Sequence, residues 1–125
     1  MNDPVISVID DDEATRDALV DLMRAKGLDA CCYASAEEFL GSEAHWSSRC
    51  IVTDIQMPGM SGIDLKRRLD AEDCRTPVIM ITARLEQRIQ RQVADCGAFC
   101  FLAKPFPIGE LFACVQKALA SGEAA

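Results

Sequence analysis

The chain has 125 residues, half of them apolar, with 13 basic against 20 acidic side chains and a net charge of −7. That is the composition of one ordinary globular core, and it excludes a disordered tail, a collagen-like repeat and a disulfide mini-scaffold. No apolar run nears the roughly 20 residues that cross a bilayer, Met1-Asn2-Asp3-Pro4 lacks the basic start of a signal peptide, and the acidic balance disfavours phosphate-backbone contacts. A cytoplasmic domain that itself touches neither membrane nor nucleic acid is expected.

The elements alternate from one end to the other. Val5-Ile6-Ser7-Val8-Ile9 is a β-branched run that stops at three aspartates. Residues 13–26 carry Ala14, Ala18, Leu19, Leu22 and Met23 at helical spacing, closed by Gly27. Residues 28–33 form a weaker strand, expected at an edge. Ser35 and Glu38 have the spacing of a capping box, in which each satisfies the other's free backbone N–H at a helix start. Cys50-Ile51-Val52-Thr53 is the third strand, followed by Asp54 and a Pro58-Gly59 turn, after which Ser61 caps a helix to about Glu72. Residues 77–81 are the fourth strand, ending at Thr82. Residues 85–96 are helical on a narrow stripe of Leu85, Ile89 and Val93. Residues 99–102 are the fifth strand, ending at Lys104-Pro105. Residues 108–119 close the domain as a helix, and 121–125, with no packing residues, read as the start of a linker or a disordered tail. The domain is thus expected over 1–120 as part of a longer protein.

Strands alternating with helices are the pattern of an α/β, doubly wound parallel sheet, here with five of each. The seven cysteines include no C-x-x-C pair and mostly fall in apolar runs, so reduced, buried thiols are expected, with adjacent Cys31-Cys32 the pair open to oxidation. His45, the single histidine, is expected in a surface loop.

In a parallel sheet all strand C-termini share one edge, where ligands of such folds bind. The residues that follow the strands here are Asp10-Asp11-Asp12, Asp54, Thr82 and Lys104. Clustered carboxylates repel one another, and a hard divalent cation resolves the conflict: Mg²⁺, with Mn²⁺ as its substitute, takes oxygen ligands and keeps positions open for a phosphoryl group. One carboxylate can then attack phosphorus and carry an acyl phosphate. Lys104 can pair with one phosphoryl oxygen and the Thr82 hydroxyl can donate to another. Only two of the three consecutive aspartates can face a metal, and Asp12 suits the helix N-cap.

Val-Ile-Asp10-Asp11-Asp12-Glu13, Asp54-Ile-Gln-Met57-Pro58-Gly-Met-Ser-Gly62, Ile81-Thr82-Ala83 and Lys104-Pro105-Phe106, in that order and spacing, resemble the receiver (response-regulator) domains of bacterial two-component signalling. The wording around Asp54 and the Lys-Pro-Phe ending look closest to the FixJ-type branch. The resemblance implies a flavodoxin-like fold of strand order 2-1-3-4-5. It implies that Asp54 accepts a phosphoryl group from a sensor histidine kinase, and that the domain is a switch rather than an enzyme. Asp10, Asp11, Asp54 and the Gln56 backbone carbonyl would hold Mg²⁺. Thr82 and Lys104 would contact the phosphoryl group, Phe101 would swing inward with Thr82, and Lys104-Pro105 would be cis. Met57 is expected to pack, while Gln56 and Arg84 would border the site and adjust rates. The output would be a DNA-binding regulator domain outside this chain, or, for a free-standing receiver, a protein partner. On phosphorylation, a homodimer or a contact with a partner would form through helix four, strand five and helix five.

A hydrolytic phosphatase of the haloacid dehalogenase type would need an acid where Gln56 stands. A flavin-binding module would need a hydroxyl- and glycine-rich loop where the three aspartates stand.

Overall fold

The computed structural model describes residues 5–84 and 86–124. Met1-Asn2-Asp3-Pro4, Leu85 of the predicted fourth helical stripe, and Ala125 of the predicted tail lie outside the described residues. The strands are β1 (Val5–Ile9), β2 (Asp29–Tyr33), β3 (Cys50–Asp54), β4 (Val78–Thr82) and β5 (Cys100–Ala103). The helices are α1 (Glu13–Ala25), α2 (Ala36–Gly41), α3 (Gly62–Ala71), α4 (Gln87–Cys96) and α5 (Ile108–Ala124). All neighbouring strands are parallel, in the order β2-β1-β3-β4-β5 expected for this α/β fold.

Helices cover both sheet faces, so the central strands bury side chains on both sides. Ile6, Val8, Val52, Ile79 and Ile81 pack with Leu19, Val20 and Met23 of α1 and with Leu111 and Val115 of α5. Ile9, Ile51, Val78 and Met80 pack on the other face with Phe39, Ile63, Leu65, Leu69, Ile89 and Val93 from α2, α3 and α4. Alternation along each strand thus divides one apolar run between two half-cores. Ser7, buried on β1, is satisfied by the Ser48 hydroxyl at 2.6 Å.

Four local expectations need correction. His45 is buried: it sits in a 3₁₀ turn (Ala44–Trp46) with its ring 6.0 Å from Phe39 and 4.7 Å from Trp46. Its Nε2 lies 3.4 Å from Glu72 Oε1, yet neither ring nitrogen is aligned for a hydrogen bond among the described residues. Trp46 takes the exposed position instead. Cys31 and Cys32 are exposed because β2 is an edge strand, whereas Cys50, Cys74 and Cys96 are buried. The Ser35 hydroxyl accepts the Glu38 N–H at 3.0 Å, but only this half of that capping box forms. The complete box is at α3, where Ser61 and Asp64 bond reciprocally. Finally, α5 passes its predicted end at Leu119 and is helical to Ala124, since alanines and a glutamate continue it and one glycine costs only about 1 kcal/mol.

A carboxylate cluster at the C-terminal edge of the sheet

The sheet register brings the polar strand ends together. Ile9 is level with Thr53, Asp54 with Ile81, and Thr82 with Ala103, so Asp10, Asp54, Thr82 and Lys104 emerge at one edge. One carboxylate oxygen from each of Asp10, Asp11 and Asp54 falls within 4.8 Å of the others. Lys104 Nζ stands 3.4 Å from Asp10 Oδ2 and 3.6 Å from Asp54 Oδ2. One ammonium among three carboxylates leaves the cluster net negative.

Each aspartate has a distinct environment. Asp10 is buried, its Oδ1 accepts the Asp12 N–H at 2.9 Å, and its carbonyl is braced by Arg16 at 3.0 Å. Asp11 is exposed. Asp12 turns away to cap α1, accepting the Thr15 N–H at 3.0 Å; hydrogen bonds from the Thr15 hydroxyl and N–H hold its carboxyl below the ordinary value. Burial pushes the Asp54 carboxyl above its ordinary value, Lys104 pulls it back, and the Asp10 and Asp11 charges push it up again. A bound cation would relieve that like-charge repulsion, and the hard oxygen donors suit one that prefers oxygen.

The remaining groups are arranged around Asp54. The Gln56 N–H approaches Asp54 Oδ1 at 3.3 Å. Thr82 is fully buried; its hydroxyl donates to Gln56 Oε1 at 3.0 Å and accepts the Arg84 N–H at 3.0 Å. The Lys104–Pro105 peptide is cis, and the Lys104 N–H is fixed by the Thr82 carbonyl at 2.8 Å. Phe101, level with Met80 on β5, is half-buried against the α2–α4 side of the core. Met57 packs there too. A cleft of about 460 Å³ opens between α3 and α4, lined by Gln56, Met57, Arg67 and Arg84, and none of the three clustered aspartates lines it.

Two contacts were not legible in the sequence. Beyond the expected place of Gln56 at the border of the site, its side-chain Oε1 accepts the Thr82 hydroxyl. Glu37 on α2 accepts the Met60 N–H at 3.1 Å, tying α2 to the loop that follows Asp54. Nothing in the spacing of residues 37 and 60 signals that bond, because it spans two elements.

Among the described residues, no helix is long and apolar enough to cross a membrane. The sequence is 36% identical over 91% of its length to the transcriptional regulatory protein FixJ of Azorhizobium caulinodans, of which it covers 54%. It is 35% identical over 95% of its length to the response regulator protein TmoT of Ectopseudomonas mendocina, covering 55% of that protein. It therefore spans about half the length of these curated relatives. The crystal structure of FixJ-N superposes with a TM-score of 0.85 at 30% identity, each chain covered to 96%. The family model for the response regulator receiver domain matches residues 6–116, from β1 into α5. A match of that extent, on a fold whose strand ends gather these carboxylates, assigns the chain to the response regulator receiver domain family of two-component signalling.

Proposed function

We propose that Asp54 is the phosphoacceptor of this domain and that its phosphorylation controls an output carried by the rest of a longer transcriptional regulator. The observation that carries the reading is the position of Asp54, its carboxylate among those of Asp10 and Asp11 with Lys104 Nζ 3.6 Å away. In the reaction an Asp54 carboxylate oxygen forms the new O–P bond. The N–P bond of a phosphohistidine on a sensor histidine kinase breaks, and its electron pair returns to the imidazole nitrogen. Lys104 balances charge on one phosphoryl oxygen, and the Thr82 hydroxyl donates to another.

Asp10, Asp11 and Asp54, with the Gln56 backbone carbonyl, would hold Mg²⁺, or Mn²⁺ in its place. When bound, the ion supplies charge neutralisation for the phosphoryl oxygens. Thr82 drawn toward the phosphoryl group leaves room that Phe101 can fill, and the face made by α4, β5 and α5 becomes the contact for a phosphorylation-dependent homodimer. The half-length match to transcriptional regulators favours a DNA-binding output over a free-standing receiver, with the domain working in the cytoplasm.

Incubation with acetyl phosphate and Mg²⁺ tests the reading. A single added phosphoryl mass per chain is expected. Sustained turnover would indicate a phosphatase, and no mass gain would remove the acceptor assignment.

A further inference from the structure

Gln56 meets the site twice. Its N–H faces Asp54 Oδ1 at 3.3 Å and its Oε1 accepts the Thr82 hydroxyl at 3.0 Å. Thr82 Oγ1 is otherwise engaged by Arg84, which donates its N–H at 3.0 Å and offers its carbonyl at 3.2 Å. A threonine hydroxyl has one proton to give. In this arrangement the nearer acceptor, Gln56, has it.

We infer that Gln56 is a positioning residue that holds the Thr82 proton in the resting state, so that a phosphoryl group on Asp54 gains Thr82 only by displacing the Gln56 amide. The inference rests on Asp54 being the acceptor. Thr82 is fully buried, so water does not compete for the hydroxyl and the exchange is between two protein-bound acceptors. A bond to an ionised oxygen is roughly twice as strong as one to a neutral amide, so the exchange runs toward the phosphoryl group. It yields less than a bond made by a hydroxyl with no partner to lose. Gln56 therefore sets how much of the phosphoryl group's differential affinity reaches the switch, and that affinity is all that can move the equilibrium. The same residue links the acceptor and the switch because the loop after β3 lies beside the end of β4, with Asp54 level with Ile81.

The test is a double-mutant cycle on the whole domain with trifluoroberyllate and Mg²⁺, the beryllium group standing in for a phosphoryl on Asp54. Gln56→Met keeps side-chain length and removes the strong acceptor; Gln56→Ala removes it without the bulk. In the Thr82 background both should tighten trifluoroberyllate binding, by up to the roughly fivefold that one neutral hydrogen bond is worth, less what the longer bond to the Arg84 carbonyl at 3.2 Å retains. With Thr82→Ala the same substitutions should leave affinity unchanged, because no hydroxyl remains to be released. Unchanged or weakened binding in the Thr82 background, or equal tightening in both backgrounds, overturns the inference. If the parent protein takes neither trifluoroberyllate nor acetyl phosphate, the acceptor reading fails first and the inference falls with it.

Discussion

Gly62 opens α3 at a point where a Cβ would meet the Asp54 carbonyl oxygen at 2.6 Å and Ile55 Cα at 3.1 Å. Both are backbone atoms, so they cannot step aside as a flexible side chain would. Gly62→Ala should therefore destabilise the domain by about 1–3 kcal/mol through overpacking, although alanine is the better helix former. A lower urea midpoint with unchanged slope would bear this out, and parental stability would contradict it. Gly59 has a different constraint: its φ is +79°, and its nearest obstacle is the movable Glu37 carboxylate. Thr82 supplies a second prediction at this scale. Thr82→Ala should still accept phosphate on Asp54, since Lys104 remains, but should forfeit part of the switch, read as a smaller conformational change per phosphoryl group bound. The residues at the strand ends were legible because a parallel sheet sends each of them to one edge. The burial of His45 was not, because its environment is made by Phe39 and Glu72 from other elements, and the short polar segment around it has no periodicity.

Helix α4 is held by few groups. Among its described residues only Ile89, Val93 and Cys96 are buried, and its N-cap, Glu86, makes no side-chain capping bond. An element with so little burial opens at low free energy, which suits the movement proposed for it on phosphorylation. Glu86 already has the extended backbone of an N-cap, with φ −85° and ψ 145°, so Glu86→Ser should supply the missing cap without strain. The helix should gain about 1 kcal/mol, seen as slower amide exchange within Gln87–Cys96, and exchange that stays the same or quickens would contradict the account. Phosphorylation should change exchange most from Thr82 through β5 to Phe106; a response confined to α1 and α2 would place the switch elsewhere. At this scale the alternation of apolar runs located every strand, an apolar stripe located α1, and the serine caps located the starts of α2 and α3. The sequence does not mark the end of α5, because one glycine costs only about 1 kcal/mol in a run of alanines, and the spacing of Ser35 and Glu38 cannot say whether the glutamate turns back.

Across the whole molecule, the acidic excess and the gathered carboxylates point the same way. Three carboxylates against one ammonium destabilise the folded state until a cation binds, so Mg²⁺ should stabilise it by about 2.7 kcal/mol at a hundredfold excess over its Kd. Asp11→Asn should weaken that stabilisation, whereas Asp12→Asn should leave it nearly intact, because Asp12 faces α1 and asparagine caps equally well. Thermal melts with and without Mg²⁺ separate the two; equal losses would mean that the cation senses only net charge. The doubly wound parallel fold class was legible in the alternation of apolar runs with amphipathic stretches, whereas the strand order followed only from the resemblance to receiver domains. The contact between Gln56 and Thr82 was not legible, since it depends on which way one glutamine side chain turns. The central claim, that Asp54 carries the phosphoryl group, is met most directly by locating the added mass after acetyl phosphate treatment of the parent and Asp54→Asn proteins. The account predicts one phosphoryl group on the parent, at Asp54, and none on the folded Asp54→Asn protein; stoichiometric labelling of Asp54→Asn would contradict it.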